Sequence, residues 1–228
     1  MECSFCLEKI PFVHELMDIV RFKSISEKDI CPKCARLFAK VTASFSCQSC
    51  GQMLEQDECE DCRAWRINFP PYVVNHRAIY YYNQAMKEWF RTFKFLGNEQ
   101  LATTFSTVIE KALESYQVDY IIPIPLSTER RAERGFNQVE SLLDAARISY
   151  TNMLLKNTHT QSQSSKNKKS RLKMEQVFKL KNEYKNRIDG KKILLVDDIY
   201  TTGKTIFQAY QVLTLERPQS IASFSLAR

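Results

Sequence analysis

Eight cysteines fall within the first 62 residues of this 228-residue chain, and none follows. They form four C-x-x-C pairs: Cys3 with Cys6, Cys31 with Cys34, Cys47 with Cys50 and Cys59 with Cys62. Each such knuckle can bring two sulfurs to one ion, and two knuckles complete a tetrahedral four-sulfur site. Eight thiolates therefore suit two structural zinc ions, with four-sulfur iron as the rival. The opening MECSFCLEKI has no basic region followed by an apolar segment, so no export signal is expected, and disulfides are the weaker reading in a reducing cytoplasm. Joining neighbours puts Cys3, Cys6, Cys31 and Cys34 on one ion and Cys47, Cys50, Cys59 and Cys62 on the other. A crossed scheme, first knuckle with third and second with fourth, fits the spacing too. In either case metal replaces an apolar core too small to hold so short a segment.

The formal charge of +7 is unevenly placed. Residues 1–66 hold 9 Lys/Arg against 11 Asp/Glu, a net of −2, whereas 156–192 holds 12 against 3, a net of +9. That basic segment opens on a Ser/Gln/Asn/Lys stretch too poor in apolar residues to offset its ordering entropy, so a mobile loop is expected over 157–175. Its charge suits either closure over an anionic ligand or phosphate contacts to nucleic acid. No apolar run reaches the roughly 18–20 residues that cross a bilayer, so no transmembrane segment is expected.

The remainder alternates strand and helix signals. One or two strands are expected over 72–83, helices over 84–96 and 98–115, a buried strand in VDYIIPIPL, a helix over 137–147 and a short strand over 150–155. Then come a fully apolar strand over 193–197, a helix over 204–215 and a last strand over 220–226. Such alternation implies an α/β fold with a parallel sheet flanked by helices, whose ligands collect where strands lead into helices.

One junction of that kind reads ILLVDDIYTTGKT, residues 193–205. Its G-K-T ending suggests a nucleoside-triphosphate loop, but that motif requires a glycine where Asp198 stands. Another chemistry fits. Thr201, Thr202, Gly203, Lys204 and Thr205 offer backbone N–H groups at a helix start to an anion. Asp197 and Asp198 would repel phosphate unless they faced sugar hydroxyls or a magnesium ion. A ribose 5-phosphate meets both demands, with its diol on the acids and its phosphate in the loop.

This stretch resembles the phosphoribosyl pyrophosphate signature of type I phosphoribosyltransferases, with Tyr200 where many carry an aliphatic residue. Together with four knuckles, IIPIPLSTERRAERGFNQ at 121–138 and TQSQSSKNKKSRLKMEQVF at 160–178, it resembles the ComF family along nearly the whole chain. The resemblance implies a type I phosphoribosyltransferase-like sheet with a small N-terminal Cys-rich zinc-binding module. The expected division is 1–66 for the zinc module and 67–228 for the phosphoribosyltransferase-like domain. It further implies a cytoplasmic competence protein for natural transformation. Such a protein would bind single-stranded DNA, work with a ComFA-type DNA helicase/ATPase and other competence proteins, and meet the membrane only through partners.

Three functions follow. An active phosphoribosyltransferase would use Asp197 and Asp198 on the ribose, the loop on the 5-phosphate and magnesium on pyrophosphate, with charge neutralised by Arg130, Arg131, Arg134, Lys168 or Arg171; its acceptor and catalytic groups are not legible. A DNA-binding component would use Lys166, Lys168, Lys169 and Arg171 on phosphates, with Phe136, Phe178 and Tyr184 as stacking candidates. An adaptor would present the acidic zinc module to a protein, hinged at Trp65–Tyr72. The second and third together are the favoured reading, with a phosphoribosyl pyrophosphate pocket retained.

Overall fold

A computed structural model describes residues 2–10, 30–95, 99–156 and 176–228. The basic loop expected over 157–175, with Lys166, Lys168, Lys169 and Arg171, lies outside the described residues.

Strand β5 (Lys192–Ile199) forms the inner part of a four-stranded parallel sheet, beside β2 (Tyr120–Pro123) and β6 (Ser220–Ala227). β6 pairs in turn with β1 (His76–Tyr80), giving the order β1-β6-β5-β2. Because side chains alternate along a strand, β5 feeds two separate cores. Leu194 and Val196 join Met86, Trp89, Phe90 and Phe93 of helix α3 (Gln84–Phe95), with α4 (Ser106–Glu114) and α6 (Gln138–Ala145) completing that layer. Ile193 and Leu195 face the other way, toward Ile206 and Phe207 of α7 (Lys204–Thr214) and toward the second group of cysteines. Apolar side chains on both faces explain why β5 reads as an unbroken aliphatic run.

Two short N-terminal helices, α1 (Pro32–Ala35) and α2 (Glu60–Asn68), each start at a knuckle cysteine, whose sulfur accepts the N–H of Cys34 or Cys62. Residues 39–41 run along β1 antiparallel, with Val41 N donating to Ile79 O and Tyr81 N to Ala39 O, so that edge of the sheet is covered. Buried His76 lies between the hydroxyls of Ser223 and Ser225, each 3.0 Å from a ring nitrogen, and pins β1 to β6. Burial, with Arg228 and Arg77 nearby, holds this imidazole well below its ordinary range, so it stays neutral.

Some expectations differ in detail. The run expected as one helix from 98 to 115 starts as a 3₁₀ helix, Glu99–Phe105, and becomes α4 only at Ser106. Thr104 is drawn inward there, meeting Trp89 Nε1 at 3.2 Å and Ser4 Oγ at 2.8 Å, and tertiary contact decides the local geometry. Helix α5 (Thr128–Arg134) carries no apolar stripe and was not expected; Ser127 caps its start and Gly135, at φ 80°, ends it. The strand expected at 150–155 is β3 (Leu154–Lys156), which pairs antiparallel with β4 (Phe178–Leu180). The stretch 65–72, expected as a hinge, is packed on α7, with Trp65, Phe69 and Tyr72 each 4.6–4.8 Å, ring to ring, from Phe207.

Candidate functional site

Asp197 and Asp198 end the apolar part of β5, and the alternation that splits the core also splits the acids. Asp198 shares the α3 face of Leu194 and Val196, and there Lys94 Nζ reaches its Oδ2 at 2.5 Å. Both side chains are largely shielded, at 14% and 16% exposure. Asp197 takes the opposite face and accepts the Asp198 N–H at 2.9 Å. Burial, followed by the adjoining Asp198 carboxylate, pushes Asp197 up to about 7, against the pull of Lys94 and Lys156. On Lys156, at the end of β3, burial and the Arg130 guanidinium hold the ammonium below the ordinary lysine range, while the two acids oppose the shift. Lys94, Lys156 and Arg130 therefore form a cationic surround for the acid pair.

Past the acids the chain turns through Thr201 and Thr202, both exposed, to Gly203, which is buried with φ 81°. Only glycine suits that position. The backbone is left-handed, and a Cβ would collide with the Tyr200 hydroxyl. Gly203 caps α7 with no side-chain hydrogen bond, so no side chain of its own occupies the donors at the helix start. Lys204 is exposed and Thr205 half-buried in the first turn. Tyr200, the departure from the aliphatic pattern, is buried and stacked on His76 with ring centroids 4.0 Å apart.

The arginines diverge. Arg130 is exposed and close enough to act on Lys156. Arg131 pairs with Glu140 at 3.5 Å, and Arg134 donates to Gln138 Oε1 at 2.8 Å. The R-G-F-N-Q run is largely a joint between helices. Gly135 ends α5, Phe136 packs on Phe93, and buried Asn137 caps α6 while donating to Ile124 O just past β2. Of the aromatics considered for base stacking, Phe178 is fully buried, and Phe136 and Tyr184 are half-buried against the cores, so all three serve packing. Sequence reading missed Lys94 and Lys156. Lys94 follows Phe93 on α3 and could be placed only once α3 was known to lie over the acid end of β5.

The cysteines assemble by neighbours. Cys3, Cys6, Cys31 and Cys34 form one group and Cys47, Cys50, Cys59 and Cys62 the other, with all sulfurs of a group within 4.8 Å of one another. None of the eight is in a disulfide. A tetrahedral ion with metal–sulfur bonds near 2.3 Å needs sulfurs about 3.8 Å apart; Cys6–Cys31 at 3.9 Å and Cys50–Cys59 at 3.6 Å match. Backbone N–H groups already point at sulfur, from Cys31 to Cys3 at 3.3 Å and from Cys59 to Cys47 at 3.4 Å, as thiolate ligands require. Both groups fit a single metal ion each.

Residues 106–228, more than half the chain, match the phosphoribosyl transferase domain family. This defines the sheet and its acid-and-glycine loop as a phosphoribosyltransferase-like domain. Competence protein ComFC of Streptococcus pneumoniae is 35% identical over 228 residues, covering all of both chains. Competence protein ComFC of Bacillus subtilis is 34% identical over 89% of this chain and 85% of its own. Competence protein F of Haemophilus influenzae is 26% identical over 90% and 92%. The chain belongs to the ComFC family of competence proteins.

Proposed function

We propose that this chain is a DNA-uptake component of natural transformation that binds single-stranded DNA, partners a ComFA-type helicase/ATPase in the cytoplasm, and holds phosphoribosyl pyrophosphate with magnesium in the pocket over β5. The observation that supports the pocket is the divergence of the acids beside a helix start that carries no side-chain capping bond. One carboxylate lies on each face of the strand end, and the loop leads into α7 through a left-handed glycine. In this reading Asp197 and Asp198 take the ribose diol and the magnesium shell, Thr201–Thr205 take the 5-phosphate, and Lys156 and Arg130 balance pyrophosphate charge. Binding requires Lys94 to share or release Asp198, which makes ligand entry an ion-pair exchange. Zinc suits each four-sulfur group, holding residues 1–66 as a module seated on domain 67–228. Among the described residues no helix is long and apolar enough to cross a membrane.

Two experiments test this. Calorimetry should show magnesium phosphoribosyl pyrophosphate binding to the wild type and no heat with Asp197→Ala/Asp198→Ala; undiminished affinity in the double variant would falsify the pocket assignment. For DNA, replacing Lys166, Lys168, Lys169 and Arg171 by Gln should lower the slope of log affinity against log salt by about 3, from about 0.7 per single-strand phosphate contact. An unchanged slope places the DNA footprint elsewhere. An active phosphoribosyltransferase with an unidentified acceptor is the second reading, favoured by Asp197 titrating near neutrality. Pyrophosphate release with a panel of bases and with DNA separates the two.

A further inference from the structure

The phosphate loop is held from behind by the second cysteine group. Trp65 Nε1 donates to the Thr202 carbonyl at 2.7 Å, and Arg228 Nη1 donates to the Thr201 carbonyl, also at 2.7 Å. The rest of the Arg228 guanidinium rests on the metal site. Its Nε and Nη2 lie 3.3 and 3.2 Å from Cys50 Sγ, and Nη2 donates to Gln52 Oε1 at 2.8 Å. Trp65 sits on α2, the helix whose N-cap is Cys59 and whose first turn holds Cys62. Both donors therefore connect two successive loop carbonyls to one four-sulfur group, and the Tyr200 ring, 5.1 Å from Arg228, fills the space between.

Peptide geometry turns this anchoring into ligand geometry. In a trans peptide the carbonyl and the following N–H point in opposite directions. Drawing the carbonyls of Thr201 and Thr202 toward the cysteines turns the N–H groups of Thr202 and Gly203 away from them. Successive N–H groups aimed outward, ending in a left-handed glycine, form a concavity suited to an anion. The first cysteine group makes no comparable connection in the described residues. Its cysteines pack on Phe5, Ile10 and Ile30, and from there Phe5 meets Phe38 and Ser4 meets Thr104, in the core on the α3 face.

We propose that Trp65 and Arg228 are positioning residues through which the metal in the second cysteine site sets the phosphate-binding conformation of Thr201–Gly203, so that sugar-phosphate affinity depends on that metal. The proposal rests on the pocket reading given above. A metal bound to Cys50 fixes a thiolate, and the Arg228 cation is the complementary outer partner for it. Loss of the metal frees both the sulfur and the helix that carries Trp65.

The test uses the full-length, metal-loaded protein with ribose 5-phosphate as probe. Trp65→Phe keeps an aromatic ring beside Phe207 while removing the Nε1 donor; Arg228→Gln removes the bridge. Trp65→Phe should weaken ribose 5-phosphate binding about fivefold to tenfold, the worth of one lost backbone hydrogen bond, with metal content unchanged. Arg228→Gln should weaken it about tenfold or more. Without ligand, amide hydrogen exchange at Thr202 and Gly203 should speed up in both variants, a change that requires no activity. Wild-type affinity and wild-type exchange in Trp65→Phe would overturn the proposal and leave the pocket reading intact. A wild type that does not bind ribose 5-phosphate at all sinks both.

Discussion

The first four-cysteine group leans on the α3 side of the sheet, where Phe38 meets Phe5, Tyr80 and Phe105 and Ser4 meets Thr104. The second leans on the α7 side and reaches the turn between β5 and α7 through Trp65 and Arg228. The ligand chemistry is the same in both, and so is the knuckle geometry. The difference is what each is attached to. Seated on a core, a metal site supplies folding energy; attached to loop carbonyls, it also sets where backbone N–H groups point. The two cysteine groups thus differ by function and not by coordination.

The sharpest way to break this contrast is to empty one site at a time. Cys34→Ser and Cys59→Ser should each lower zinc content from two per chain to one. Cys59→Ser should weaken ribose 5-phosphate binding by about a hundredfold, the combined loss of two backbone hydrogen bonds and an ordered turn. Cys34→Ser should lower the melting temperature while changing that affinity no more than about twofold. Equal loss of affinity in both variants would dissolve the contrast.

Gly203→Ala acts on the loop without touching metal. A left-handed backbone costs a non-glycine residue about 1 kcal/mol, and the added methyl meets the Tyr200 hydroxyl. Sugar-phosphate affinity should fall about tenfold, with both metals retained. Retained affinity would show that the turn tolerates another shape.

The smallest effect concerns the acid pair. The Asp197 carboxyl loses its proton near 3.8 when unfolded and near 7 when folded. Between those values the folded state binds more protons, so this group's contribution to stability falls as pH rises through the window. Asp197→Asn should therefore raise the melting temperature relative to wild type more at about pH 8 than at about pH 5. Magnesium phosphoribosyl pyrophosphate binding should show the opposite trend in the wild type, strengthening from about pH 6 to 8 as the carboxylate forms. A melting-temperature difference that does not vary with pH would place Asp197 in water rather than in a buried pair.

Much of this is legible in the sequence. The unbroken apolar run of β5 announced a strand covered on both faces, and the acids with T-T-G-K-T marked its functional end. Spacing alone left the cysteine pairing open, because knuckles joined by 24 or by 8 intervening residues can close in more than one way; the structure pairs neighbours. What the sequence could not show were contacts between distant segments. Lys94 and Asp198 are far apart in sequence and meet only because α3 crosses the α3 face of β5 at its acid end. Trp65 read as part of a linker, and Arg228 carries no motif at all, yet both end on adjacent loop carbonyls. Helix α5 escaped because seven residues without an apolar stripe leave periodicity nothing to detect, although its serine cap and glycine stop were visible.

In the proposed pocket a sugar phosphate sits on the Gly203 N–H, aimed outward by the second metal site. The chain has five glycines, so nitrogen-15 glycine labelling gives a spectrum of five amide signals. Titration of the zinc-loaded protein with ribose 5-phosphate should move the Gly203 signal far and leave those of Gly135 and Gly190 in place. A Gly203 amide that stays still while the ligand demonstrably binds would contradict the account.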